Sequence, residues 1–98
     1  MNKQLENIIR NLEDLKSQIA KEYKAEIVGL FGSYARGEQK ESSGIDILVR
    51  FLEGATLLDF VGLADFLEQK LKVRVDIVPV DTVREEIKER VFKEAVYL

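Results

Sequence analysis

The run Ile45-Asp46-Ile47-Leu48-Val49-Arg50-Phe51 constrains this chain more than any other stretch. Successive side chains of a β-strand point to opposite faces. Ile45, Ile47, Val49 and Phe51 therefore share one face, and Asp46, Leu48 and Arg50 share the other. Residues 73–78 repeat the pattern, with Val73, Val75 and Ile77 opposite Arg74, Asp76 and Val78. Pro79 is expected to end that strand, because it has no N–H for the ladder. An aspartate between aliphatic neighbours in mid-strand is disfavoured and costly if buried without a partner. Two such aspartates in one small chain ask for a shared explanation. If the strands are neighbours, Asp46 and Asp76 can meet. The alternatives are that each pairs with a nearby arginine, Arg50 or Arg74, or faces solvent.

The rest of the chain alternates between helical and extended patterns. Leu5, Ile8, Ile9, Leu12, Leu15 and Ile19 recur at helical spacing and predict a helix over about 3–21. Ala25–Phe31 reads as a buried strand, and Tyr34-Ala35-Arg36 as one short helical turn. Residues 37–43 are polar and read as an exposed loop. Thr56 opens a helix that runs to Leu71, with Leu57, Phe60, Val61, Ala64, Leu67 and Leu71 in one stripe. Leu58, Leu63 and Phe66 widen that stripe, so burial on more than one side is expected. Thr82-Val83-Arg84-Glu85 has the capping-box form and predicts a last helix with Val83, Ile87 and Val91 inward. The order is helix, strand, strand, helix, strand, helix. This is an α/β domain with a small sheet flanked by helices, spanning residues 1–98 as one unit. The link between the first two strands is too short for a crossover helix, so the sheet should be mixed.

Composition narrows the chemistry. Among 98 residues there is no cysteine and no histidine. That removes disulfides, thiolate zinc sites, cysteine nucleophiles and the usual neutral-pH base, and it fits a reducing cytoplasm. Catalysis would rest on carboxylates, hydroxyls, lysine, arginine and oxygen-bound metal. The formal charge of −3 argues against direct nucleic-acid binding, and no apolar run approaches a membrane span. Gly32-Ser33 follows a buried strand and opens a helical stretch, a place where main-chain N–H groups can meet an anion. Glycine lets the main chain approach closely, and Arg36 lies one turn away. The same residues would also make a tight turn with a solvated arginine. Positions 44 and 46 share a strand face roughly 6.6 Å apart, so acids at both could converge on a divalent ion.

Taken together, Gly32-Ser33, ten intervening residues, an acidic strand and the distant Asp76 in VRVDIVPV resemble the DNA polymerase β-like nucleotidyltransferases. The short length and the GSYARG form resemble the minimal, MntA-type antitoxins among them. The resemblance spans most of the chain, from about Val28 to Val78. It implies that Gly32 and Ser33 hold the triphosphate of ATP, that an acidic doublet binds two magnesium ions, and that Asp76 helps bind the catalytic ion and activates the acceptor hydroxyl. It further implies transfer of AMP with release of pyrophosphate. The partner it implies is a HEPN-domain ribonuclease toxin, which some relatives silence by adenylylating a tyrosine.

One position departs from the family pattern. Where the family reads Ser-Asp-x-Asp, this chain reads Ser43-Gly44-Ile45-Asp46. Glycine supplies no ligand, while two-metal transfer needs charge neutralised at both the attacking and leaving oxygens. Asp46, Asp76 and the nucleotide would still hold one ion. Nucleotide binding is therefore expected to survive better than catalysis, unless Glu41 or Ser43 substitutes as a ligand. An introduced change, a natural loss in a protein that acts by binding, and a natural variant with another ligand all fit the glycine.

Overall fold

The structure is a computed structural model and describes residues 3–40 and 44–98. Helix α1 (Lys3–Tyr23) leads into β1 (Ala25–Phe31), the single helical turn α2 (Ser33–Arg36) and β2 (Ile45–Phe51). Helix α3 (Leu57–Leu71), β3 (Val75–Pro79), a 3-10 turn (Val80–Thr82), α4 (Glu85–Glu94) and β4 (Val96–Tyr97) complete the chain. The strands form one sheet in the order β3-β2-β1-β4. β1 runs antiparallel to β2 and β4, and β2 runs parallel to β3. The mixed sheet follows from the link lengths: β2 and β3 have α3 as their crossover, and β1 and β2 do not need one.

The core lies between one face of the sheet and helices α1 and α3. Leu5, Ile8, Leu12 and Ile19 line the buried face of α1, and Leu63, Leu67 and Leu71 that of α3. They pack on Ile45, Ile47 and Val49, the set that strand alternation placed together. Among the described residues, eight of the large side chains in this layer, Leu12 and Leu67 among them, are fully buried, and Leu48 is buried on the other face. Burial of a leucine is worth about 1.5–3 kcal/mol, so this layer is what holds the sheet rigid beneath the opposite face.

A bulge in β1 decides which side chains reach that opposite face. Ala25 and Ile27 pair with Phe51 and Val49, but the register then slips, so that Gly29, Leu30 and Phe31 pair with Leu48, Ile47 and Asp46. Ala25, Ile27 and Leu30 all point into the core. Without the slip, the odd-numbered Phe31 would follow Ala25 and Ile27 into it. With the slip it shares the face of Asp46, because paired residues point the same way. Bulges commonly re-aim a side chain in this manner.

Several expectations need correction. β3 begins at Val75, not residue 73, and Pro79 is its last residue. Pro79 is tolerated there because β3 is an edge strand. Thr82 does not cap the last helix: its hydroxyl donates to the Pro79 carbonyl at 2.9 Å inside the 3-10 turn, and α4 starts after Arg84. Val83 thus precedes the helix, and Ile87 is largely open to solvent. The wide stripe of α3 is buried on one side only. Leu57, Leu58 and Val61 are 76%, 84% and 58% exposed. Phe60 and Phe66 are held instead by ring contacts with Phe51 and Tyr23, at 5.7 and 5.3 Å between centroids.

Candidate active site

One row of residues crosses the sheet opposite the core. Phe31 of β1 pairs with Asp46 of β2, and Asp46 pairs with Asp76 of β3. Neighbouring strands are about 4.8 Å apart, so the parallel pairing of β2 and β3 sets the two carboxylates side by side. Asp46 is half-buried and Asp76 is exposed. Burial pushes the Asp46 carboxyl above the usual carboxylate range, the charge of Asp76 pushes it further, and Arg36 opposes both. Partial burial and a like charge alongside both disfavour the ionised form.

The corner after β1 closes on the same row. Gly32 has φ +81, in the region that favours glycine. A Cβ at this position would fall 2.1 Å from Asp46 Oδ2. Only a residue with no side chain lets the main chain lie this close to the carboxylate. Ser33 follows as the first residue of α2. The turn is held by the Arg36 N–H donating to Gly32 O at 3.1 Å and the Glu38 N–H donating to Ser33 O at 2.8 Å.

Arg36 projects from this turn and is the cation whose charge Asp46 feels. Its guanidinium donates to Glu38 at 2.8 Å and lies 3.9 Å from Glu94 of α4. These acids, Glu38 foremost, raise its pKa above the ordinary arginine value. Arg50, the first alternative partner for Asp46, instead faces Glu26 at 3.8 Å. Neither tether of Arg36 is announced by the sequence: Glu38 is two residues away in a polar loop, and Glu94 comes from a helix 58 positions later in the chain.

Gly44 sits just ahead of β2. A Cβ there would point at Asp76 Oδ2, 3.3 Å away, with the Arg74 carbonyl at 3.4 Å. Its φ lies outside the glycine-favouring region, so a side chain is conformationally allowed and would project toward Asp76. Two neighbouring carboxylates, beside a place where a third side chain would fit, suit an oxygen-preferring cation such as magnesium. Among the described residues, no three carboxylates converge. Glu41 and Ser43, the candidate replacement ligands, lie outside the described residues.

Beyond Gly32, away from Asp76, a cleft of about 200 Å³ opens between β1 and α4. Phe31, Gly32, Arg36, Ile87, Arg90 and Glu94 are among its walls. A cleft of about 290 Å³ between α1 and the start of β1 is far from the carboxylates in the fold, and its polar lining is Lys16, Ser17 and Glu26.

With Gly32, Ser33, Arg36, Gly44, Asp46 and Asp76 gathered at one end of the sheet, comparison with known proteins is informative. The family model of the nucleotidyltransferase domain matches residues 6–98. The protein adenylyltransferase MntA of Thermococcus cleftensis is 40% identical over 94 residues, covering 96% of this chain and 95% of that protein. A solved structure provisionally named a minimal nucleotidyltransferase superposes with a TM-score of 0.82 at 44% identity, covering 96% of this chain and 95% of that one. A toxin–antitoxin crystal structure containing AMP-PNP gives a TM-score of 0.67 at 25% identity, covering 87% of this chain and 70% of that chain. This chain belongs to the nucleotidyltransferase domain family.

Proposed function

We propose that this chain is an MntA-type antitoxin that binds magnesium-ATP at the Asp46–Asp76 row and is built to pass AMP to a hydroxyl of a HEPN ribonuclease toxin, with transfer slowed by Gly44. The observation that carries the reading is the register pairing of Asp46 with Asp76, hard against Gly32. Relatives named as adenylyltransferases and the toxin–antitoxin neighbour with AMP-PNP support it.

The residues divide the work by position. Gly32 and Ser33 receive the phosphates where the main chain is bare of side chains. Arg36 adds a positive charge that a polyphosphate would draw from Glu38 and Glu94, since both pairs are exposed and weakly held. Asp46 and Asp76 would hold one magnesium ion, which when bound neutralises charge on the reacting phosphate oxygens. Asp76, on the exposed edge strand, faces the side from which a partner's hydroxyl would arrive and takes its proton. The acceptor oxygen bonds to the α-phosphorus as the bond to the bridging oxygen breaks and pyrophosphate leaves with that bond's electrons.

Gly44 removes one carboxylate from this set. Loss of such an electrostatic group costs about 3 kcal/mol of barrier, or roughly a hundredfold in rate. The same glycine favours a second reading, an antitoxin that neutralises its partner by contact alone. Incubating the chain and a Gly44→Asp variant with labelled ATP, magnesium and the partner toxin separates the two. Label on the toxin, stronger with the variant, supports the transferase. Neutralisation without ATP, unchanged when Asp46 and Asp76 become asparagine, supports the contact mechanism.

A further inference from the structure

We infer that the polypeptide acceptor of this chain carries a carboxylate beside its hydroxyl, and that Arg74 is the residue that reads it. The inference rests on the proposed transfer at Asp76 and names the class of its acceptor. Three observations carry it.

The edge of the sheet at β3 gives a partner little to pair with as a strand. The Ile45 N–H donates to the Arg74 carbonyl at 2.8 Å, so that carbonyl is turned toward β2. Main-chain groups alternate in direction along a strand. The outward N–H positions of β3 are therefore those of Val75, Ile77 and Pro79. The Val75 N–H already donates to the Glu68 carboxylate at 3.0 Å, and proline has no N–H to give. One outward donor, at Ile77, is too few for a ladder. An acceptor that reaches Asp76 is recognised by side chains.

Arg74 is the side chain placed for this. Val75 is 6% exposed and belongs to the core, so Arg74 and Asp76 on either side of it share the opposite face. Both are exposed. A Cβ at Gly44 would lie 3.5 Å from the Arg74 Cβ and 3.3 Å from Asp76 Oδ2. Glycine at that position leaves the ground between them clear. Arg36 and Arg50 are each paired with glutamates. Among the described residues no carboxylate is paired with Arg74. Lys72, exposed and likewise unpaired among the described residues, adds a second cation two positions earlier.

The spacing supplies the third observation. Arg74 and Asp76 are two residues apart on an extended strand, roughly 6.6 Å. An extended acceptor segment has the same spacing between residues i and i+2. A hydroxyl set against Asp76 then places the side chain two positions away against Arg74. An acid gains most there, because guanidinium and carboxylate make paired, charge-assisted hydrogen bonds, while a lysine or arginine is repelled. The acceptor segment is thus an extended one with Asp or Glu two residues from the hydroxyl.

The experiment uses three synthetic peptides with a single tyrosine, identical except for Glu, Gln or Lys two residues from it. Their affinities for the folded chain are measured in magnesium, with and without AMP-PNP, and ATP affinity is measured alongside. The parent is compared with Arg74→Lys, Arg74→Ala and Arg74→Glu. The parent should prefer the Glu peptide to the Gln peptide about fivefold, the size of a favourable exposed ion pair. Arg74→Lys should keep part of that preference and Arg74→Ala should lose it. Arg74→Glu should turn the preference toward the Lys peptide, with ATP affinity moving less than about twofold. Equal affinity for the three peptides in the parent, or a preference that survives Arg74→Ala, overturns the assignment. So does an ATP affinity that falls in Arg74→Ala as far as the peptide affinity does, since Arg74 would then serve the nucleotide. A parent that binds no ATP and still prefers the Glu peptide overturns the nucleotide site and leaves the acid-reading surface standing.

Discussion

Gly32 and Asp46 are interlocked: the glycine's main chain occupies the space beside Oδ2 so closely that a Cβ would fall 2.1 Å from it. The turn after β1 and the carboxylate of β2 therefore form one unit. A side chain at position 32 must push the Asp46 carboxylate out of its place on the row with Asp76.

Gly32→Ala accordingly combines a strained φ of +81 with a direct clash. Such strain costs about 1–3 kcal/mol. Urea unfolding should show a loss of that order, and ATP affinity should fall in the fraction that stays folded.

The Asp46 carboxyl titrates above its ordinary value of 3.8, through burial first and Asp76 second. A carboxyl that is harder to ionise when folded binds more protons in the folded state, so stability falls as pH rises through the folded-state value. In metal-free protein the cost is fully present above the folded-state value and vanishes below the ordinary one. Asp46→Asn should therefore be more stable than the parent at pH 7 with chelator present, and the advantage should disappear in acid. Thermal melts across that range check the sign.

Gly44→Asp restores a carboxylate where the φ permits one and where Asp76 Oδ2 lies 3.3 Å from the new Cβ. Asp76 must yield by a few tenths of an ångström. Transfer to the partner is expected to rise about a hundredfold. Without magnesium the extra like charge should lower the melting temperature, and magnesium should recover it.

The outer face of α3 tests the packing. Leu58 is 84% exposed and Leu67 fully buried. Leu58→Glu should change stability by less than about 0.5 kcal/mol, whereas Leu67→Ala should cost about 2–5 kcal/mol. Denaturant unfolding of the two variants distinguishes them.

How much of this was legible in the sequence varied with the range of the forces involved. Alternation placed β2 at Ile45–Phe51 and put Asp46 opposite the core, as found, and helical spacing picked out the buried face of α1. The meeting of Asp46 with Asp76 could be stated only as a condition, because parallel pairing is a long-range outcome. β4 was missed: two residues carry no periodicity, and the strand exists because Gly29 and Leu30 offer it an edge. The bulge that turns Phe31 onto the site face was equally invisible, since Ala25–Phe31 reads as one uniform apolar run. The exposed leucines of α3 were misjudged for the opposite reason, since apolarity measures what can be buried and not what a neighbour is available to bury. At the site, the glycine, the serine, the arginine and both aspartates were nameable in advance. The contact of Glu94 with Arg36 and the cleft between β1 and α4 depend on where the last helix packs.

The most direct measurement is calorimetric titration of ATP with and without magnesium, on the parent chain and on Asp46→Asn and Asp76→Asn. If the two aspartates share one cation beside the Gly32–Ser33 corner, ATP binding requires magnesium, and each substitution weakens it about tenfold or more in a protein that still folds. Equal affinity in chelator, or undiminished magnesium-dependent binding in both variants, would contradict the shared site.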